Sequence, residues 1–144
     1  MIDVLTSVVG VGASELVASS IRIEAIQNER SLRMIRPLLS LESKLVCLRQ
    51  LDQSTRQDLK HVRLMVMVMA EHMHHQLDRP RELFRTIERY HQLRLTPVAQ
   101  HASRFGVDLW AAVPLASMRG TPEYRVFFER RLPQMERQAD ELDR

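Results

Sequence analysis

Apolar residues recur every three or four positions along most of this chain, and that spacing predicts helices. Leu38, Leu41, Leu45 and Leu48 form one stripe behind Pro37, a residue suited to a helix's first turn. Leu59, Val62, Val66, Met69 and Met73 form a second. They fall in a helix expected from Ser54 to Leu77, with Ser54 and Gln57 as its capping pair. Inside it the run Leu64 to Ala70, LMVMVMA, is apolar on every face. A helix of that kind lies at the centre of a bundle or in a subunit interface. Alternating valine and methionine would also suit a short buried strand, but the helical flanks favour helix. Leu83, Phe84, Ile87 and Tyr90 mark a third helix, Pro80 to Leu95. The short Asp78–Arg79–Pro80 connection predicts that the second and third pair as a central antiparallel αα-hairpin.

The pattern is less regular at the two ends. Ser14, Val17, Ile21, Glu24 and Ala25 predict a first helix reaching from about Ser14 to Ile35. After Thr96–Pro97 a short helix ends near Gly106, and a further one over Asp108 to Met118 is interrupted by Pro114. The last helix carries Tyr124, Phe127 and Phe128 and is kinked or ended by Pro133. No linker long enough to separate domains is apparent. The expectation is one all-α domain over residues 1–144, a small bundle of five to seven helices. Residues 1–13 form an apolar N-terminal segment and residues 134–144 a polar tail.

Composition agrees with this picture. The chain has 144 residues, 44% hydrophobic and 27% charged, within the range of ordinary globular chains. Four glycines are too few for a turn-rich β fold. The single cysteine, Cys47, excludes an intramolecular disulfide and is expected to be a buried thiol. Val4 to Ile21 is apolar but interrupted by Glu15 and several hydroxyl residues, and Asp3 stands where a signal peptide would carry positive charge. A cytoplasmic chain with little membrane association is expected.

The net charge is +3, and only Lys44 and Lys60 among the 21 basic residues are lysines. Arg81, Arg85 and Arg89 recur at i, i+4, i+8, which puts three guanidiniums on one stripe of the third helix. Arg30, Arg33 and Arg36 make a shorter group. Arginine forks suit phosphate and carboxylate, so these faces are candidates for a protein partner or a nucleic-acid backbone. The segment from Ala102 through Gly106 and Val107 resembles the turn of a helix-turn-helix. Pro114 would fall inside its recognition helix, and Asp108, Leu109 and Trp110 are poor groove contacts.

Glu71–His74 and Glu88–His91 repeat the Glu-x-x-His spacing of ferritin-like di-iron proteins on either side of the predicted hairpin turn. Glu15, Glu24, Glu29 and Glu42 would have to supply the bridging carboxylates. Met73 continues the inward stripe past these histidines, so a partly exposed histidine cluster is expected rather than a metal site, and no cofactor. There is no phosphate-binding glycine loop, no His-Glu-x-x-His and no Gly-x-Ser-x-Gly. The leading expectation is therefore a non-enzymatic interaction or oligomerisation module. Its interface would be the adaptable side chains of Met65, Met67, Met69 and Met73, met by a protein partner or a second copy. Nucleic-acid binding through the arginine faces and a ferritin-like metal protein are the alternatives.

Overall fold

The computed structural model describes residues 8–18, 20–24 and 31–142. It is a small all-α protein with one two-stranded sheet near its N-terminus. The helices are α1 (Ala13–Ala18), α2 (Pro37–Gln50), α3 (Asp58–His74), α4 (Pro80–Arg94), α5 (Pro97–Ser103), α6 (Leu115–Met118) and α7 (Leu132–Leu142). Short 3₁₀ turns cover Trp110–Ala112 and Pro122–Tyr124, and a π turn covers Phe127–Arg131. No helix among the described residues is long and apolar enough to cross a membrane.

The first sequence expectation is corrected here. The helix expected over Ser14–Ile35 is only α1, followed by β1 (Ser20–Glu24) and β2 (Ser31–Ile35), paired antiparallel with Ser20 opposite Ile35. Ile21 and Ile23 are β-branched and alternate with polar neighbours, a period of two that competes with the helical one. Before α1, the turn from Val8 to Val11 lies directly on α2. A Cβ on Gly10 would stand 2.8 Å from Val46 Cγ2, and its φ is +77°, so only glycine suits this contact.

α2 is buried along two stripes, Leu41–Leu45–Leu48 and Leu39–Ser43–Cys47. Its closest helical neighbour is α3, not the pairing of α3 with α4 that the sequence suggested as the centre. The two helices run in opposite directions. The end of α2 meets the start of α3, where Lys44 Nζ is 4.0 Å from Asp58 Oδ1. The start of α2, at Arg36 and Pro37, shares a cleft with His72 and Gln76 at the far end of α3.

α3 starts later than expected. Ser54 is outside the helix and bonds Asp52, and the N-cap position is Gln57 with no side-chain cap. A buried carboxylate organises this corner instead. Asp58, 2% exposed, accepts from Arg56 Nε at 2.5 Å and from Gln53 Nε2 at 3.2 Å. The same Gln53 amide donates to the carbonyls of Cys47 at 3.1 Å and Leu51 at 2.9 Å. One side chain thus ties the end of α2 to the first residue of α3.

The stripe Val62–Met69–Met73 faces the core and meets Leu83, Ile87 and Tyr90 of α4 in one apolar cluster. Two tyrosine hydroxyls bind carbonyls outside the regular helices. Tyr90 donates to Leu109 O at 2.8 Å and Tyr124 to Leu77 O at 2.5 Å. After α5, Gly106 at φ +73° closes the helix, with Val107 N on Ala102 O and Gly106 N on Ser103 O. This pair of bonds is a Schellman cap, with Val107 and Ala102 both buried. The helix-turn-helix outline is therefore a capped helix followed by a 3₁₀ turn, and the Asp108 carboxylate is spent on Trp110 N at 2.9 Å.

Replacement of Asp58 by Ala is expected to lower stability by about 1–3 kcal/mol, read as a shifted denaturant midpoint. The hydrogen bond from Arg56 is the main cause that holds the Asp58 carboxyl below its ordinary value of 3.8. Its contribution is therefore complete above that value and fades as pH falls through the depressed one, so the variant and native midpoints should converge in acid.

Candidate functional site

The arginine stripe resolves into a cleft and an outer row. Arg85 and Arg89 of α4 line a cleft of about 510 Å³ with Arg36, which precedes α2, and with His72 and Gln76 at the end of α3. Arg81, one turn earlier on α4, is exposed and does not line it. Arg30 lies outside the described residues, and of Arg33 only the backbone, on β2, is described. Arg36, Arg85 and Arg89 make no ion pair among the described residues, although Glu42 of α2 is close enough to Arg89 to feel its charge.

The two acids at the rim are occupied elsewhere. Glu82 accepts from Arg79 Nη1 at 2.8 Å, and Glu88 faces Arg131 at 3.7 Å. On the floor, Gln76 is 8% exposed and its amide nitrogen is 3.3 Å from His72 Nε2. Its carbonyl oxygen is buried without a partner. Burial first, then the charges of Arg36, Arg79 and His75, push the His72 pKa below 6.5. The cleft thus carries three arginines beside Glu82 and Glu88, with a neutral imidazole favoured at His72.

The four residues of the two Glu-x-x-His pairs, the alternative metal reading, are not brought together. Glu71 pairs with His75 at 3.0 Å on the surface, and His74 is exposed. Glu88 turns to Arg131. His91 is 1% exposed in the core, with Nε2 on Gln138 Oε1 at 3.0 Å and its ring edge-on to Trp110 at 5.7 Å. Among the described residues no three His, Cys, Asp or Glu side chains are grouped to hold a metal ion. The i, i+3 spacing is real, but the inward face of α3 passes through Met73, which points His74 away.

The methionines expected at an interface also separate. Met69 and Met73 are fully buried core residues, so they are unavailable to a partner. Met65 is half-buried against the core. Met67 is 69% exposed, and Leu64 and Val68 beside it are 55% and 38% exposed. These three lie at i, i+3, i+4 and form an apolar outer face on α3. Arg63, at one edge, donates to Phe105 O at 3.0 Å. Sequence reasoning left this run between the bundle centre and a subunit interface because it is apolar all round. The signal it passed over is that Leu64, Met67 and Val68 lie opposite the stripe that fills the core.

A second cavity of about 340 Å³ lies between Arg94, Asp108, Leu109 and Ala139. Arg94 stacks over Trp110 with its carbon 4.9 Å from the ring centre. No protein-family model, curated protein or solved structure matches this chain.

Two histidines give the fold a pH dependence of known sign. His91, like His72, has its pKa pushed below 6.5, chiefly by burial and against the opposing bond from Gln138. Both favour the neutral ring in the folded state. The unfolded chain takes up these protons first, so stability is full above about pH 6.5 and declines as pH falls toward the lower folded values. Thermal melting between pH 7 and 5 should show that decline, and His91→Phe and His72→Gln should each flatten it.

Proposed function

We propose that this protein is a non-enzymatic helical interaction module that assembles through the outer face of α3. The observation that carries the reading is the row Leu64, Met67 and Val68, exposed over just more than one turn of the chain's longest described helix. Full burial of a side chain of this size is worth roughly 1.5–3 kcal/mol, so an isolated chain forgoes much of that at each of three positions. A helix offering apolar side chains at i, i+3, i+4 is the form in which one helical face docks on another. Met67 adds an unbranched, polarizable side chain that adapts its shape to what covers it.

Polar residues frame the row. Lys60, Arg63 and Glu71 lie on the same exposed side of α3, and their long side chains suit the rim of an interface rather than its centre. The partner favoured here is a second copy, because a self-complementary helix face needs no other surface to bury it.

The test is solution mass by light scattering across a dilution series. Native protein is expected to give a dimer that dissociates on dilution. Met67→Lys and Leu64→Glu, both at exposed positions, should give a monomer with unchanged melting temperature. A native chain that stays monomeric at its highest soluble concentration would refute self-assembly through this face.

A further inference from the structure

We propose that the cleft between the start of α2 and the facing ends of α3 and α4 is a binding site for a compact, multiply charged oxyanion of the phosphate class. Four independent features of the cleft converge on this ligand.

The first is unspent positive charge. Arg36, Arg85 and Arg89 come from two parts of the chain and converge on one concave site without ion-pair partners among the described residues. Bringing three guanidiniums together costs repulsion, which an anion relieves. The acids at the rim do not do this, because Glu82 is held by Arg79 and Glu88 faces Arg131. Glu42 lies near enough to Arg89 to feel its charge but forms no ion pair with it.

The second is the helix end. α2 has 14 residues, begins with Pro37, and has no side-chain cap at Arg36. Its first turn therefore keeps the partial positive charge and free amides that attract anions. Arg36, Pro37 and Leu38 place that end on the cleft wall.

The third is an unfinished hydrogen-bond set. Gln76 is buried and lines the cleft, yet one end of its amide has no partner. The oxygen and nitrogen of an amide are assigned from their neighbours. If the amide is turned over, the oxygen accepts from the protonated Nε2 of His72, and the free group becomes an N–H donor. In that orientation an anion in the cleft completes the set.

The fourth is shape. A cleft of about 510 Å³ is the size of a small-ligand site. The remaining arginines do not extend it into a track, since Arg81 stands outside it and Arg130 and Arg131 lie in the π turn. Three forked cations, an amide and the Thr86 hydroxyl are more donors than one carboxylate can use. A tetrahedral group with three or four oxygens matches them.

This site is separate from the α3 face and stands or falls independently of it. The experiment is calorimetric titration of the native chain with inorganic phosphate at low ionic strength, alongside a short single-stranded RNA. Phosphate is expected to bind, with affinity falling about tenfold or more in Arg36→Gln and Arg85→Gln. Arg130→Gln, outside the cleft, should leave it unchanged. Gln76→Leu replaces the half-partnered amide with an apolar side chain of similar size. It should weaken phosphate binding without lowering the melting temperature, a result that a purely structural glutamine would not give. Absence of phosphate binding, or binding equally sensitive to Arg130→Gln, would overturn the proposal. RNA binding that weakens evenly as any surface arginine is removed would replace it with a diffuse polyanion surface.

Discussion

The architecture depends on the antiparallel seam between α2 and α3, and that seam is fixed by a carboxylate. Asp58 is almost fully buried, and a buried charge is tolerated only with partners supplied on the spot. Arg56 and Gln53 supply them, and Gln53 also holds the last carbonyls of α2. The loop between the helices therefore has one satisfactory arrangement. With that corner fixed, the register of the two helices follows along their length. Val62, Met69 and Met73 are set against the leucines of α2, and the far end of α3 is carried to the beginning of α2. The arginine cleft is the other end of the same seam.

Much of the helical frame was legible in the residue pattern. The stripes in α2, α3 and α4 point inward as their spacing requires, and the Cys47 thiol is buried. What was not legible was set by contacts distant in sequence. The β1–β2 hairpin occupies a stretch whose apolar positions fit two periods, and only one period has a strand to pair with. The pairing of α2 with α3 could not be told from that of α3 with α4, because both connections are short. LMVMVMA read as bundle centre or interface because nothing in it is polar. The outward half of it is exposed because no other element covers that side.

The candidate sites were legible only in part. Arg36, Arg85 and Arg89 were each visible as members of charged groups, but their convergence required α2 and α4 to be placed side by side. Arg81 belongs to the same stripe and lies outside the cleft, so helical spacing alone chose one residue too many. Gln76 carried no signal at all. A glutamine near a helix end is ordinarily solvated, and its burial follows from the packing of α3 against its neighbours. The histidines show the reverse. Their spacing was suggestive, and the packing sent one to the core and left another in solvent.

The π turn at Phe127–Arg131 has a geometric effect on everything after it. Tyr124 and Phe127 are buried, and a regular helix continuing from them would next present Arg131, Gln134 and Gln138 to the interior. The wide turn closes with Leu132 N on Phe127 O, five residues back, and so takes in one extra residue. One residue is about 100° of rotation. The phase of the last helix is advanced by that step, and Leu132, Met135 and Ala139 arrive where the three polar residues would have been. Pro133, which cannot donate to a regular ladder, sits just beyond the point where the phase changes. The C-terminal helix thus has two apolar segments out of step by one position, and the backbone, not the side chains, reconciles them.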